Sequence, residues 1–160
     1  MKTESSKEHQ WLQQLVGEWT FEGTGEMGPG QPPHKMSGTE SVRSLGGLWI
    51  IGEGRGVMPG GSPCTMVLQL GFDPVKGKFV GSWIGSMMAN MWVYEGTLDV
   101  AGRVLPLDTI GPSFTDATKM TRYQDIIEVV SDDVRTLTSR SLGDDGKWFQ
   151  FMKSEYRRKK

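Results

Sequence analysis

The chain has 160 residues, of which 36% are hydrophobic, and its 18 basic and 19 acidic side chains leave a net charge of −1. This balance provides no overall field that would attract nucleic acid or an anionic membrane surface. The 22 glycines and 8 prolines argue against a helical bundle, because an interior glycine destabilises a helix by about 0.5–1 kcal/mol relative to alanine. Six Trp, six Phe and three Tyr supply the core that a disordered chain lacks, so we expect one compact domain.

Three features of the sequence bear on its compartment. The longest uncharged stretches, residues 56–72 and 79–94, are interrupted by small and polar residues, so neither predicts a membrane-spanning helix. The first ten residues contain no apolar run of the kind found in secretory signals. The single cysteine, Cys64, has no partner for an internal disulfide, which fits a reducing compartment. The sequence therefore predicts a soluble, cytoplasmic protein.

One helix is predicted near the N-terminus, over residues 5–16. Ser5 and Glu8 have the spacing of a capping box, apolar residues then recur at helical intervals, and Gly17 supplies a stop. From residue 18 the pattern alternates with a period of two, which predicts a first half-buried strand. A loop rich in Gly and Pro follows at 25–35, and further strands are expected near 36–44, 48–57, 64–72, 78–86, 90–99, 103–110, 119–130, 134–142 and 147–157.

The predicted strands are joined by short turns rich in Gly and Asp, which indicates antiparallel neighbours in a meander. About ten such strands either stack as a sandwich or close into a barrel, and closure is favoured because it removes the exposed edges. Glycines within strands mark positions that need curvature or room: Gly52, Gly54, Gly81, Gly85 and Gly96. The expected fold is all-β, a single up-and-down barrel over residues 18–157 preceded by a short helix.

The sequence carries no strong motif for a cofactor, a metal or a nucleophile. Gly23 to Gly28 matches G-x-G-x-x-G, but the Pro-rich segment that follows cannot begin the helix that a dinucleotide site requires, so we interpret it as a loop. His9, His34 and Cys64 do not stand at ligand spacing, so neither a metal nor a cofactor is predicted. There is no G-x-S-x-G or Ser-x-x-Lys pattern, and the catalytic residues are left unassigned.

Two carboxylates, Glu53 and Glu95, interrupt otherwise apolar strands. If either faced the barrel interior, desolvation would raise its pKa and suit it to acid–base chemistry or to anchoring a ligand. On the outer face, either would meet water or pair with an arginine such as Arg43, Arg122 or Arg140. Both interpretations stay open at this point.

The aromatic and Met-rich strands are the most informative constellation. Side chains that point into a barrel of this size either fill it or leave one small-ligand cavity. Methionines near residue 88 and the aromatic rings of neighbouring strands suit both roles. The candidate cavity-lining residues are Trp49, Glu53, Trp83, Met88, Trp92, Tyr94, Glu95 and Arg140.

The chain as a whole resembles the uncharacterised bacterial family DUF1579, within the calycin superfamily of lipocalin-like barrels. The matching segments are spread over the sequence: Leu15-Val16-Gly17-Glu18-Trp19, Ser44-Leu45-Gly46-Gly47-Leu48-Trp49, Leu70-Gly71-Phe72-Asp73-Pro74, Tyr94-Glu95-Gly96-Thr97-Leu98, Gly111-Pro112-Ser113 and Ser154-Glu155-Tyr156-Arg157-Arg158-Lys159. The resemblance implies a single domain over residues 1–160. It also implies that Trp19 packs under Arg157 or Arg158 to close one end of the barrel, a cation–π contact worth about 0.5–2 kcal/mol.

Residues 16–25 are also similar to nitrobindin-type haem barrels. Those proteins use a proximal His late in the chain, whereas no His follows His34 here. Haem bound in that manner is therefore not predicted.

Three functions follow from these observations. The first is a non-enzymatic barrel that binds a small apolar or amphipathic ligand in its interior, with no nucleic-acid or membrane partner. The second is a calycin-type enzyme that uses Glu53 or Glu95 as general acid–base. The third is an assembly module with a filled barrel, and the sequence leaves a homo-oligomer open.

Overall fold

A computed structural model describes residues 3–26 and 30–160 and forms a closed antiparallel barrel. Each strand pairs with its neighbours in the chain, and β1 pairs with β10 to complete the ring. The all-β up-and-down barrel is thereby confirmed. Its elements are α1 (Lys7–Gln13), β1 (Gly17–Gly25), β2 (His34–Leu45), β3 (Trp49–Val57), β4 (Pro63–Asp73), β5 (Lys78–Gly85), β6 (Trp92–Gly96), β7 (Val104–Pro112), β8 (Met120–Val129), β9 (Val134–Leu142) and β10 (Trp148–Arg158).

The helix is shorter than the sequence pattern indicates, and its cap lies elsewhere. Ser6, not Ser5, is the N-cap, and His9 takes the place predicted for Glu8 in the capping box. The physical reason is tertiary. The Ser6 backbone N–H donates to His9 Nδ1 at 2.9 Å, while His9 Nε2 donates to the Phe72 carbonyl of β4 at 3.0 Å. The imidazole thus fixes both the first turn of α1 and its position on the barrel.

Helix α1 covers one end of the barrel by packing on β3 and β4. Leu12 and Leu15 are buried there within the main core cluster. Trp11 makes an edge contact with Phe79, and its indole N–H donates to the Gly102 carbonyl at 2.8 Å. We call this end the closed end. The opposite end, formed by the β3–β4, β5–β6, β7–β8 and β9–β10 connections, is called the open end.

Several inward-facing glycines make room for neighbouring side chains. A Cβ on Gly38 would come within 2.1 Å of the Arg55 carbonyl oxygen and 2.7 Å of the Phe21 ring. A Cβ on Gly52 would stand 3.2 Å from a carboxylate oxygen of Glu40. These strand glycines therefore leave space for the side chains of neighbouring residues. This role differs from the two predicted from the sequence, which were strand curvature and open space in the interior.

Residues 27–29 lie outside the described residues. They include the end of the G-x-G-x-x-G match and part of the predicted loop at 25–35. Gly23 and Gly25 belong to β1, where they face Ser154 and Met152 of β10 in the strand register. Strand β6 is shorter than predicted, because the sheet ends at Gly96 and not at residue 99. Within residues 3–26 and 30–160, no helix combines the length and apolarity needed to cross a bilayer.

Candidate functional site

Apolar side chains line the interior towards the open end. Leu68, Trp83 and Trp92 occupy one level, because Leu68 is in register with Trp83 and Trp83 with Trp92. Met66 lies one step closer to the open end, opposite Gly85. All four side chains pack on the core yet keep accessible surface. They form a wall that an apolar molecule could contact, which we call the mouth wall.

Trp92 bridges strands β6 and β7 where they are not paired, a part of the barrel that we call the seam. Strands β6 and β7 share only two register pairs, Glu95–Asp108 and Gly96–Leu107, so they diverge towards the open end. The Trp92 ring lies against Gly111 of β7, where a Cβ would come within 2.2 Å of it. The ring also meets the Tyr123 ring edge-on at 4.9 Å and donates its N–H to Met88 Sδ at 3.2 Å. A side chain, and not a backbone ladder, therefore joins the two strands here.

A carboxylate lies behind the mouth wall. Asp125 of β8 faces inward between Leu107 and Ser139 in the register, and it accepts hydrogen bonds from the Tyr94 hydroxyl and, at 2.6 Å, from Ser139 Oγ. Burial raises the pKa of Asp125, although both hydrogen bonds act to lower it. Burial and the adjacent Asp125 charge raise the pKa of Tyr94 well above its ordinary value. The interior thus contains one carboxylate held by neutral donors alone.

A second buried polar group lies nearer the closed end. Glu40 of β2 pairs with Arg135 of β9, and the Arg135 guanidinium stacks on the Trp19 ring at 4.6 Å and the Tyr156 ring at 4.1 Å. Burial, followed by the Glu40 charge, raises the pKa of Tyr156. This carboxylate is neutralised within the fold, in contrast to Asp125.

Arg158 packs at the closed end and links β10 to the segment that follows α1. Its guanidinium lies over the Trp19 ring at 4.3 Å and donates to the carbonyls of Val16 at 2.7 Å and Gln14 at 2.9 Å. The contact expected between Trp19 and the last strand is thus made by Arg158. Arg157 instead points outward and pairs with Glu155.

The structure divides the predicted cavity-lining residues into two groups. Trp83, Trp92 and Tyr94 face the interior, and Met88 lies beside Trp92 in the β5–β6 connection. Their part in binding a ligand stays a prediction. The other four, which lie on the outer face, are Trp49, Glu53, Glu95 and Arg140.

The outward position of these four residues corrects the sequence interpretation. Glu53 forms an exposed ion pair with Arg55, and Glu95 pairs with Lys76 and Lys78. The physical reason is strand alternation, because inward Gly52 and Gly54 flank Glu53, and inward Tyr94 and Gly96 flank Glu95.

The remaining two residues contact neighbours on the outer surface. Trp49 lies over Gly71 and is 40% exposed. Arg140 stacks on Trp148 at 4.7 Å and donates to the Gln124 side chain.

The functional candidates missed by the sequence analysis are Asp125 and the Glu40–Arg135 pair. A signal for them exists in the same alternation. Asp125 is in phase with Tyr123 and Ile127, Glu40 with Val42, and Arg135 with Leu137. Every second residue of a strand faces inward, so extending the apolar alternation of each strand to its polar positions predicts that the side chains of Asp125, Glu40 and Arg135 face inward.

Two hollows lie away from the mouth wall. One, of about 250 Å³, is at the closed end beside Trp19, Arg135 and Arg158. The other, of about 690 Å³, lies along β1, β2 and β10, where Thr20, Glu22 and other polar side chains border it. No group of three or more His, Cys, Asp or Glu side chains in the described parts of the chain is arranged to hold a metal ion.

Residues 4–158 match the family DUF1579, described as a protein of unknown function. The chain belongs to this family. No curated protein matches the sequence.

Solved structures with similar folds include Rv2717c from M. tuberculosis, with a TM-score of 0.67, 15% identity, and 98% of this chain and 100% of that chain covered. The S-type phycobiliprotein lyase CPES from Guillardia theta gives a TM-score of 0.59 at 14% identity, covering 94% of this chain and 92% of that one. The barrel EF1p2_mFAP2b bound to DFHBI gives 0.51 at 15% identity, covering 95% and 99%. At these identities the similarity concerns the fold.

Proposed function

We propose that this DUF1579 barrel binds a small apolar or amphipathic molecule at its open end and is not an enzyme. The observation that carries the proposal is the mouth wall. Its aromatic, Met and Leu side chains face inward and yet keep accessible surface, although burial of such groups is strongly favourable. A ligand that covered their accessible surface would add to the hydrophobic stabilisation of these side chains.

The similar folds support this function by analogy. EF1p2_mFAP2b, a barrel that this chain resembles at a TM-score of 0.51, is bound to DFHBI in its structure. The architecture is therefore compatible with holding a small molecule. The choice of ligand depends on side chains, which differ at 15% identity.

The enzyme alternative requires a carboxylate that faces the barrel interior. Glu53 and Glu95 lie in exposed ion pairs, so neither meets this condition. Asp125 is the interior carboxylate that keeps the alternative open, because its pKa is raised and a tyrosine hydroxyl contacts it. Turnover that Asp125→Asn abolishes would establish this alternative over pure binding.

The assembly alternative draws on exposed apolar side chains of neighbouring strands. Ile84, Val93 and Ile110 are 43%, 61% and 59% exposed on the outer face of β5, β6 and β7. A concentration-dependent dimer in sedimentation that Val93→Lys abolishes would favour it. Our proposal includes a cytoplasmic location, because it leaves the lone thiol of Cys64 reduced.

The proposed function is tested by isothermal titration calorimetry with single compounds: octanoate, octanol, octylammonium, an aromatic sulfonate dye and haem. We expect saturable binding of at least one. Trp83→Leu, in the mouth wall, should weaken it by about tenfold, since an aromatic side chain buries a large contact area. Ile84→Ala is the matched control, because Ile84 follows Trp83 in β5 and faces outward.

Two results would overturn the proposal. One is the lack of a saturable signal with every compound. The other is equal weakening by Trp83→Leu and Ile84→Ala, which would place the bound molecule outside the barrel.

A further inference from the structure

Asp125, which faces the interior and is half-buried, differs from buried Glu40 in having no cation beside it. The acceptor sites of its carboxylate are only partly used, by the hydroxyls of Tyr94 and Ser139. Glu40 is paired with Arg135, while none of the ion pairs in residues 3–26 and 30–160 includes Asp125. Partial removal of a carboxylate from water without a cation beside it is costly, so this position favours positive charge or further hydrogen-bond donors.

An unpartnered hydroxyl lies on the neighbouring strand, diagonally across from this carboxylate. Thr109 of β7 is 6% exposed, and its Oγ1 is buried without a hydrogen-bond partner. In the register Thr109 faces Tyr123, while Asp125 faces Leu107, so Thr109 and Asp125 are diagonal neighbours on the inner face. Thr109 stands one step closer to the open end. A buried hydroxyl is normally hydrogen-bonded, and here a bound group would supply the partner.

The approach to Asp125 and Thr109 suits an organic cation. Trp83 and Trp92 belong to the mouth wall, and indole is the aromatic group that attracts a cation most strongly. The diverging edges of β6 and β7 lie beside Thr109, where Trp92 closes the seam with its ring and not with a strand pairing. The Arg135 guanidinium is the cation that an anionic ligand would need, and it already pairs with Glu40.

We propose that the ligand is an amphipathic organic cation, an ammonium group on an apolar body, and that Asp125 and Thr109 bind the ammonium. This inference rests on the proposed function and names its ligand class. The three N–H donors of a primary ammonium match the free acceptor sites of Asp125 together with Thr109 Oγ1. Tyr94 and Ser139 hold the carboxylate in place, and the mouth wall covers the apolar body.

The test compares three ligands of equal length that differ only in their head group: octylammonium, octanol and octanoate. We expect wild-type protein to bind octylammonium about tenfold or more tighter than octanol, because hydrogen bonds to charged groups are the stronger ones. Octanoate should bind weakest. The comparison needs no variant, so it does not depend on how a substitution folds.

Variants then assign the preference to the site. Asp125→Asn should lower octylammonium affinity by about tenfold, because the side chain loses its negative charge and one acceptor oxygen, and should leave the affinity for uncharged octanol unchanged. Asp108→Asn is the matched control, because Asp108 lies on the neighbouring strand with its carboxylate outward, bonded to Gln124. Thr109→Val should weaken octylammonium through loss of one acceptor.

The outcomes separate the two proposals. If octanol or octanoate binds as tightly as octylammonium, or if Asp125→Asn leaves the preference intact, the ligand class is wrong while ligand binding stands. If none of the ligands in either titration series binds, the proposed function itself fails.

Discussion

Breaking the buried Glu40–Arg135 pair is predicted to destabilise the protein strongly, because it leaves one charged group in the interior without a counter-charge. Glu40→Gln keeps the shape of the side chain and removes its charge. The Arg135 guanidinium is then left in the interior, stacked on Trp19 and Tyr156 but without a counter-charge. Its Nε already has no hydrogen-bond partner, so no second acceptor is at hand.

The expected magnitude follows from burial. The Glu40 and Arg135 side chains are 11% and 5% exposed. Removing one partner of a buried pair destabilises a protein by about 3–5 kcal/mol, and the retained amide oxygen of Gln puts the value near the lower end. For a domain of this size, that corresponds to a fall in Tm of roughly 6–12 °C.

The outer wall of the barrel offers the matched control. Glu53 and Arg55 are 48% and 72% exposed, so Glu53→Gln should change the free energy of unfolding by about 0–1 kcal/mol. Urea denaturation followed by fluorescence measures both variants, with unchanged m-values as the check on two-state behaviour. If Glu40→Gln costs no more than Glu53→Gln, the reasoning from burial is refuted. Replacing both partners, as Glu40→Leu with Arg135→Met, should restore much of the loss.

Three further predictions concern the interior. Burial raises the pKa of Asp125 from its ordinary 3.8, so the protonated carboxyl group contributes fully to stability below pH 3.8 and this contribution is lost as the pH rises through the raised pKa. When the free energy of unfolding is measured from about pH 3.5 to 7, wild type should lose stability relative to Asp125→Asn. A constant difference between the two proteins would contradict this prediction. Thr109→Val should raise the free energy of unfolding by about 1 kcal/mol, because it removes a buried hydroxyl that has no partner; a loss would mean that the hydroxyl is satisfied. Gly38→Ala should destabilise by about 1–3 kcal/mol, because the added Cβ collides with the Arg55 carbonyl oxygen and with the Phe21 ring. Gly25→Ala, whose Cβ would meet nothing closer than 3.8 Å, should be nearly neutral, and thermal melts of the two variants decide this.

The fold is predictable from the sequence because the barrel's signals are local. Alternation of apolar residues, short turns and glycines within strands are each visible in a window of about ten residues. Closure followed from the general cost of exposed edges. The helix cap was misplaced, because His9 gains a partner in β4 that is 63 residues away.

Only some of the residues predicted to line the interior face it, and strand alternation alone excludes part of the others. Tyr94 and Glu95 are consecutive in one strand, so they cannot both face the interior, although both were predicted to line it. Applying the alternation strictly would have moved Glu95 outward and drawn attention to Asp125. Arg140 was open to the same check, since it lies between inward Ser139 and Ser141 in the register.

The amino-acid sequence alone determined that this DUF1579 chain is an antiparallel barrel with aromatic side chains inside, because period and turn chemistry are properties of neighbouring residues. Only the tertiary structure decided which polar side chains meet across the interior. Arg135 neutralises Glu40, 95 residues away in the chain, while Asp125 is left with two hydroxyl donors and the unpartnered Thr109 nearby. The reason is that electrostatic compensation depends on distances through space, which are set when ten strands close into one ring.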